Sequence, residues 1–282
     1  MTAERDGSPL TEVLAERMDP AARPRMDVRE LDGAPMLDCR FPGPFRAFFT
    51  TRVGGGSVGR YSSFNLDPRS EDDAGAVARN RARIAASLDR RLVSPAQIHG
   101  LRVAGAAEYA GGPEGEPCDG LTLHPEIDKG LAALLLFADC VPVVLCGEVD
   151  MAVAHGGWRG ILGGIVQQAG RAMIGPPAAA VIGPSIGPCC FTVGVEVAEA
   201  FAARFGSEVV LPPGRGSGED GDLPRVDLWA ATARACTELG IRPEQVVNPR
   251  LCTACNTDLF YSYRKEGPVT GRQGCAAWVA SP

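Results

Sequence analysis

The chain has 282 residues, 45% of them hydrophobic and 22% charged, a balance that excludes wholesale disorder and fits one large domain or two small ones. Its 28 basic residues are outnumbered by 34 acidic ones, for a formal charge of −6. That is the opposite of the basic excess that binding to a phosphate backbone requires, so no nucleic-acid partner is expected.

The opening stretch MTAERDGSPLTEVLAERMDPAARPRMD mixes charges with proline and lacks the apolar core of a secretory signal. Residues 1–40 read as an N-terminal leader, with TEVLAERM as a short helix, and residues 41–282 as one catalytic domain. FRAFFTTR predicts a strand and VGGGSVGRYSS a glycine-rich loop. EDDAGAVARNRARIAASL predicts a helix, with acids at its start and Val77, Ile84 and Leu88 on one face.

ALLLF, PVVLC and MAVAH are short apolar runs of the kind that strands buried on both faces produce. The stretch they lie in, LAALLLFADCVPVVLC, is too short for a membrane span and is broken by Asp139 and Pro142, so no membrane partner is expected. MAVAH then enters GGWRGILGGIVQQAGRAM as a strand–turn–helix unit. AAAVIGP predicts a strand and EVAEAFAARFG a helix, while PPGRGSGEDGD has the composition of a surface loop. VDLWAATARACTELG predicts a helix capped by Asp227 and stopped at Gly240, and FYSYRKE and CAAWVA predict two late strands. Hairpins and crossovers are mixed along the chain, so the expected fold is α/β with mixed β-sheets packed between helices.

Ten cysteines fall below the density of a disulfide scaffold, and some, such as Cys146 in VPVVLC, read as small buried hydrophobes. The setting this implies is reduced and cytoplasmic. CTAC (Cys252 to Cys255) has the spacing of half a zinc ribbon or a redox motif, but no second CxxC or paired His follows, so it reads as a structural or packing element. The adjacent Cys189 and Cys190 read likewise as packing residues at a turn. VGGGSVG lacks the ending of a P-loop, and GPSIGP is not a nucleophile elbow.

The chemistry concentrates elsewhere. His99 sits in PAQIHG, Cys140 where one apolar strand ends in FADCVP, and His155 at the end of MAVAH before GGWRG. Strand ends beside glycine-rich turns are where α/β proteins build sites, and two imidazoles with one thiolate are a workable catalytic zinc set with one position left open. Taken singly, a His or Cys in an apolar segment is more often a packed or hydrogen-bonded residue than a metal ligand. His124, the chain's remaining histidine, reads as a loop residue.

Further candidates surround these. Arg52 precedes glycines whose N–H groups could form an anion nest for phosphate, against the plainer reading of a solvated arginine before a loop. Asn65 in SSFNL is a candidate substrate contact or a turn cap. Asp139, next to Cys140, is a candidate carboxylate for orienting a ligand or carrying a proton, and Asp119 in CDGLT is a further carboxylate. Arg159 lies in the first turn after His155, an unfavourable place for a cation unless an anion is near, which makes it a candidate substrate contact.

QIHG, FADCVPVVL, AVAHGGWRG, IGPSIGPCCF and FYSYRKEGPVTGRQG, in that order, resemble the multicopper-polyphenol-oxidase-like family, also called laccase-domain or YfiH-like. TTRVGGGSVGRYSSFNL and VARNRARI match its N-terminal portion, and the likeness runs from about Arg46 to the C-terminus. Gly156 stands where the family commonly has alanine. The resemblance implies one α/β domain, a metal triad at His99, Cys140 and His155, and purine nucleoside chemistry. Its members cleave adenosine, inosine, guanosine and S-methyl-5'-thioadenosine with phosphate, and deaminate adenosine.

Copper is the less favoured metal, because multicopper oxidases need many imidazoles and this chain has three histidines; zinc suits the donor set better. Such a zinc would lower the pKa of a bound water to about 7, the chemistry that zinc deaminases direct at C6 of adenine. Two alternatives stand beside this reading. One is a Cys–His hydrolase acting on peptidoglycan precursors, with Cys140 as nucleophile and His155 as base. The other is a non-catalytic protein with a closed structural zinc, for which Cys118 or His124 would supply a fourth ligand. The sequence leaves the oligomeric state open.

Overall fold

A computed structural model describes residues 10–112, 115–213 and 222–280. Fourteen strands and seven α-helices lie among them. The first sheet contains β1 (Met26–Leu31), β2 (Ala34–Arg40), β3 (Phe45–Thr50), β4 (Arg91–Val93), β7 (Leu131–Phe137) and β14 (Gln273–Val279), ordered β1-β2-β3-β14-β7-β4. The second contains β5 (Val103–Gly105), β6 (Gly120–Leu123), β8 (Val141–Gly147), β9 (Met151–Gly156), β10 (Pro177–Ile182) and β13 (Val246–Val247), ordered β13-β10-β8-β9-β6-β5. A small ribbon pairs β11 (Val210–Leu211) with β12 (Arg225–Val226). Both large sheets are mixed: β4–β7 and β5–β6 are parallel, whereas β7–β14 and β8–β9 are antiparallel.

The apolar runs are continuous because the sheets lie face to face and are covered on their outer sides. Side chains alternate along a strand. Ala133, Leu135 and Phe137 of β7 share one core with Val144 of β8, Val153 of β9 and Leu121 of β6, between the sheets. Leu134 and Leu136 turn the other way, onto Phe64, Leu66 and Ile84 of α2 (Ala74–Leu88). Val143 and Leu145 of β8 turn onto α3 (Trp158–Gly163), α4 (Ile165–Ala172), α5 (Val195–Phe205) and α6 (Leu228–Thr237). The result is four layers, helix–sheet–sheet–helices. No helix of the described residues is long and apolar enough to cross a membrane.

Local chemistry sets the element ends. Asp73 caps α2 by accepting from the Ala76 N–H, and Asp227 caps α6 by accepting from the Ala230 N–H. Gly164, at φ +93°, breaks GGWRGILGGIVQQAGRAM into α3 and α4, a left-handed turn that glycine adopts without steric cost. Most of the loop expected over PPGRGSGEDGD lies outside the described residues.

Two segments differ from expectation. FYSYRKE is not a strand: its second half is the single-turn helix α7 (Tyr263–Glu266), with Ser262 accepting from the Lys265 N–H while its own N–H donates to Glu266. The alternating aromatics imitate a strand, but β14 is already paired on both edges, by β3 and β7, and offers no free ladder. In the segment read as a leader, the short helix forms as α1 (Leu10–Arg17). Beyond it, β1 and β2 extend the first sheet in continuous register, Met26 opposite Cys39 and Cys39 opposite Ala47.

Leu37, on β2, is fully buried in the core between the sheets. Leu37→Ala is expected to cost about 2–5 kcal/mol in one cooperative urea transition. A loss near the ~0.5 kcal/mol of a surface substitution would mean that the hairpin hangs off the domain.

Candidate metal centre

Three chain segments meet where the two sheets connect. β7 leaves the first sheet at Phe137, crosses through Ala138, Asp139 and Cys140, and enters the second sheet as β8. His155 stands near the end of the adjacent β9, opposite Pro142. His99 comes from the loop between β4 and β5. Cys140 Sγ lies 3.7 Å from His99 Nε2, and the donor atoms of Cys140, His99 and His155 all fall within 4.8 Å of one another. The two imidazoles meet edge to face with centroids 4.8 Å apart.

One buried carboxylate fixes both histidines. Asp119 has no exposed surface. It accepts the backbone N–H groups of Ile98, His99 and Gly100 at 3.2, 2.9 and 2.7 Å. It also lies 2.8 Å from Nδ1 of His155, which leaves Nε2 of that ring for the centre. Three amides converging on one carboxylate hold His99 at φ +60°, a left-handed conformation uncommon outside glycine. Burial works against the Asp119 charge, but the His155 ring and these amides outweigh it and keep its pKa below the usual carboxylate value.

The Cys140 turn is held in a parallel way. Asp139 sits at φ +82°, with its carboxylate accepting the Thr253 hydroxyl and the Arg264 N–H, both at 2.6 Å. Asp139 thus anchors the wall beside Cys140, and the carboxylate that orients a histidine is Asp119. Gly157 completes the packing: a Cβ there would lie 2.6 Å from Cδ2 of His99 and 3.5 Å from Sγ of Cys140.

Burial alone would raise the Cys140 thiol, yet His155 and His99 hold it down at about 6. Burial would lower His155, but Cys140 and Asp119 raise it to about 9. Without a metal, the two groups thus favour each other's charged form, the thiolate of Cys140 and the protonated ring of His155. The donor set fits zinc: tetrahedral bonds of about 2.3 Å to sulfur and 2.0 Å to nitrogen put the two atoms about 3.5 Å apart, close to the spacing found. Among the described residues no fourth His, Cys, Asp or Glu joins the group. Cys118 is bonded to Tyr109 instead, and His124 contacts the backbone of Glu126.

The centre opens into a cavity of about 580 Å³, a size that suits a small ligand. Arg159, on α3, lines it with its guanidinium 4.1 Å from the Trp158 ring centroid, and no ion pair of Arg159 occurs among the described residues. Arg69, Arg264, Arg272, Phe191 and Tyr263, none of them a candidate from sequence, also line it. Most of these stand inside the motif blocks quoted above, and nothing local marked them as facing a common space.

Two candidates stand elsewhere. Arg52 does not line the cavity. Its guanidinium donates to Glu266 at 2.7 Å and to the carbonyls of Ser62 and Thr257, and it lies over the Tyr261 ring. Two of the three glycine amides expected to form its nest are taken, Gly55 N–H by Ser63 and Gly56 N–H by Asn80. The Arg52 guanidinium and these two amides thus bond to the protein's own acceptors. Asn65 is fully buried and braces the cavity from behind: its Oδ1 accepts the N–H groups of Asp67 and Arg272, and its Nδ2 donates to Ser70 and Asp72.

The fold and this centre define a laccase-domain protein. The family described as multi-copper polyphenol oxidoreductase laccase matches residues 46–280, and the chain belongs to it. It is 32% identical over 274 residues to the purine nucleoside phosphorylase YlmD of Geobacillus stearothermophilus, covering 87% of this chain and 95% of that one. It is 30% identical over 246 residues to the purine nucleoside phosphorylase YfiH of Escherichia coli, covering 84% and 95%. Among solved structures it resembles the Neisseria meningitidis protein NMB0706, with a TM-score of 0.77 and 31% identity over 87% of this chain and 99% of that one.

Two outcomes test the centre. Asp119→Asn should weaken zinc binding about 10–100-fold in a competition assay, as loss of a carboxylate behind a ligating histidine does elsewhere. In chelator-treated protein, Cys140 alkylation should follow a thiolate titrating near pH 6, well below an ordinary thiol near 8.5, and added zinc should block it.

Proposed function

We propose that the chain is a zinc-dependent purine nucleoside phosphorylase. It acts on adenosine, inosine, guanosine and S-methyl-5'-thioadenosine with phosphate, and also deaminates adenosine. The observation that carries this reading is a three-donor centre, His99, Cys140 and His155, open to a cavity walled by arginines and aromatic rings. A catalytic zinc keeps three protein ligands and one open position, whereas a structural zinc is closed by four. The names of the relatives supply the substrate class.

Zinc bound there supplies Lewis acidity and acidifies water. The remaining work falls to side chains. Four arginines, Arg69, Arg159, Arg264 and Arg272, face the cavity against two aspartates, Asp67 and Asp139. Asp67 is already paired with Arg69, and Asp139 holds Thr253 and the Arg264 amide. The surplus guanidinium charge suits phosphate, which arginine binds through paired N–H donors. Arg159 is the cavity arginine with its donors most free, so it is assigned to phosphate, with Arg264 beside it. Trp158, Phe191 and Tyr263 offer flat surfaces for a purine. Asp139, which lines the cavity next to Cys140, is assigned to carrying a proton to or from the base. Arg52 and Asn65 are assigned to positioning the wall, not to contacting substrate.

A second reading has one observation behind it. A Cys140 thiol held at about 6 beside His155 is also the pair a Cys–His hydrolase would use, for example on cell-wall precursors. Chelation separates the two. Purified protein with inosine and phosphate should yield hypoxanthine and ribose 1-phosphate, and with adenosine should also yield inosine. Chelation and Cys140→Ser should each abolish turnover, and zinc should restore only the chelated wild type. Full turnover after chelation would overturn the zinc reading. Arg159→Ala should raise the KM for phosphate roughly tenfold or more, from the loss of about 1.5–3 kcal/mol of charged hydrogen bonding, with little change for the nucleoside.

A further inference from the structure

A second cluster of soft ligands lies behind the cavity wall, and the nucleoside reading does not use it. Cys189 and Cys190, on the turn after β10, meet Cys252 and Cys255 of the CTAC segment, with the four sulfurs within 4.8 Å of one another. Cys255 Sγ is 3.5 Å from Cys189 Sγ and 3.4 Å from Cys190 Sγ. These distances are far longer than the roughly 2.05 Å of a disulfide. They match the edge of a tetrahedron of thiolates around zinc, about 3.8 Å for bonds of about 2.3 Å.

Packing does not account for the arrangement. Cys189 and Cys255 are exposed, so their sulfurs turn toward one another at the surface rather than into apolar contacts. The backbone is shaped around the cluster. The Gly187 N–H donates to Cys252 Sγ at 3.2 Å, as amides do toward metal-bound thiolates. Gly187 has no side chain to obstruct this, and a Cβ there would lie 3.2 Å from Cβ of Cys252 and 2.7 Å from the Trp229 ring. The two loops are also zipped together, Ser185 N–H to the Leu251 carbonyl and Thr253 N–H to the Ser185 carbonyl. Four thiolates around Zn²⁺ carry an excess of negative charge, and two cations stand by. Arg225 donates to the carbonyl of Pro188, and Arg264 to that of Cys190.

We propose that Cys189, Cys190, Cys252 and Cys255 form a closed, four-thiolate zinc site that is structural and separate from the open centre at Cys140. Zinc takes the place of the thiol protons, which pass to solvent, and no redox change is involved. The site clamps two loops that carry parts of the cavity. Thr253, inside the CTAC turn, holds Asp139 beside Cys140, while Phe191, directly after Cys190, lies under Arg264.

The test uses the full chain, purified under reducing conditions without chelator. Metal analysis should find two zinc equivalents per chain, and X-ray absorption should find one all-sulfur shell and one mixed nitrogen–sulfur shell. Cys255→Ser should lose one equivalent and the all-sulfur signal, whereas His99→Ala should lose the mixed one. Cys255→His keeps a zinc ligand and guards against a serine variant that fails to fold. It should retain two equivalents with one sulfur replaced by nitrogen. Cobalt(II) added to the metal-free wild type should give the thiolate charge-transfer bands of a tetrahedral all-sulfur site. A wild type whose bound zinc shows no all-sulfur shell would overturn the proposal, as would a Cys255→Ser variant with unchanged zinc content. Eight free thiols instead of ten in the denatured, metal-free protein would overturn it in favour of a disulfide.

Discussion

The candidate centre depends on one carboxylate shut away from water. Asp119 gathers three consecutive amides of the His99 turn and the Nδ1 side of His155, so a single charge sets the position of two imidazoles from distant parts of the chain. A buried carboxylate is costly unless its lone pairs are used, and here the partners that satisfy it are the elements that must be held still. The strained backbone of His99 is tolerated because three hydrogen bonds over-determine it.

The layout of the sheets explains why the centre forms where it does. Cys140 lies in the short crossover by which the chain passes from one sheet to the other, and β9 beside it carries His155. The cores on both sides make the strands rigid, so donors at their ends keep their spacing without a ligand. The loops that close the cavity are less regular and are pinned by side chains instead. Asn65 holds Asp67 and Arg272, Arg52 ties the glycine loop to Glu266, and Asp139 joins Thr253 to the start of α7. Arg52 and Asn65, candidates for substrate contact, each bond to segments of this wall, and Asn65 also caps its own turn through the Asp67 N–H.

Much of the architecture was legible in advance because both sheet faces are covered, and double burial leaves an unmistakable apolar run. The exceptions have local causes. FYSYRKE carries strand-like alternation but has no free strand edge to join, so Ser262 and Glu266 turn it into a helix. The polar N-terminal segment gave little periodic signal, because β1 has half-exposed positions between its two buried ends. In the site, His99, Cys140 and His155 were readable from residue type and motif. Asp119 was visible only as one more acid, since nothing in CDGLT reveals that it faces two other segments.

The sequence by itself determined the chemical types: two imidazoles and a thiol at strand ends, arginines in glycine-rich blocks, strands that had to be buried, and a family. Tertiary structure decided the partnerships, because a hydrogen bond or a ligand sphere is a statement about distance, and distance between remote segments is set by how the layers stack. That is why Arg52 turns out to be bonded to Glu266, why Asp119 rather than Asp139 orients a histidine, and why four cysteines that read as structural or packing residues lie sulfur to sulfur.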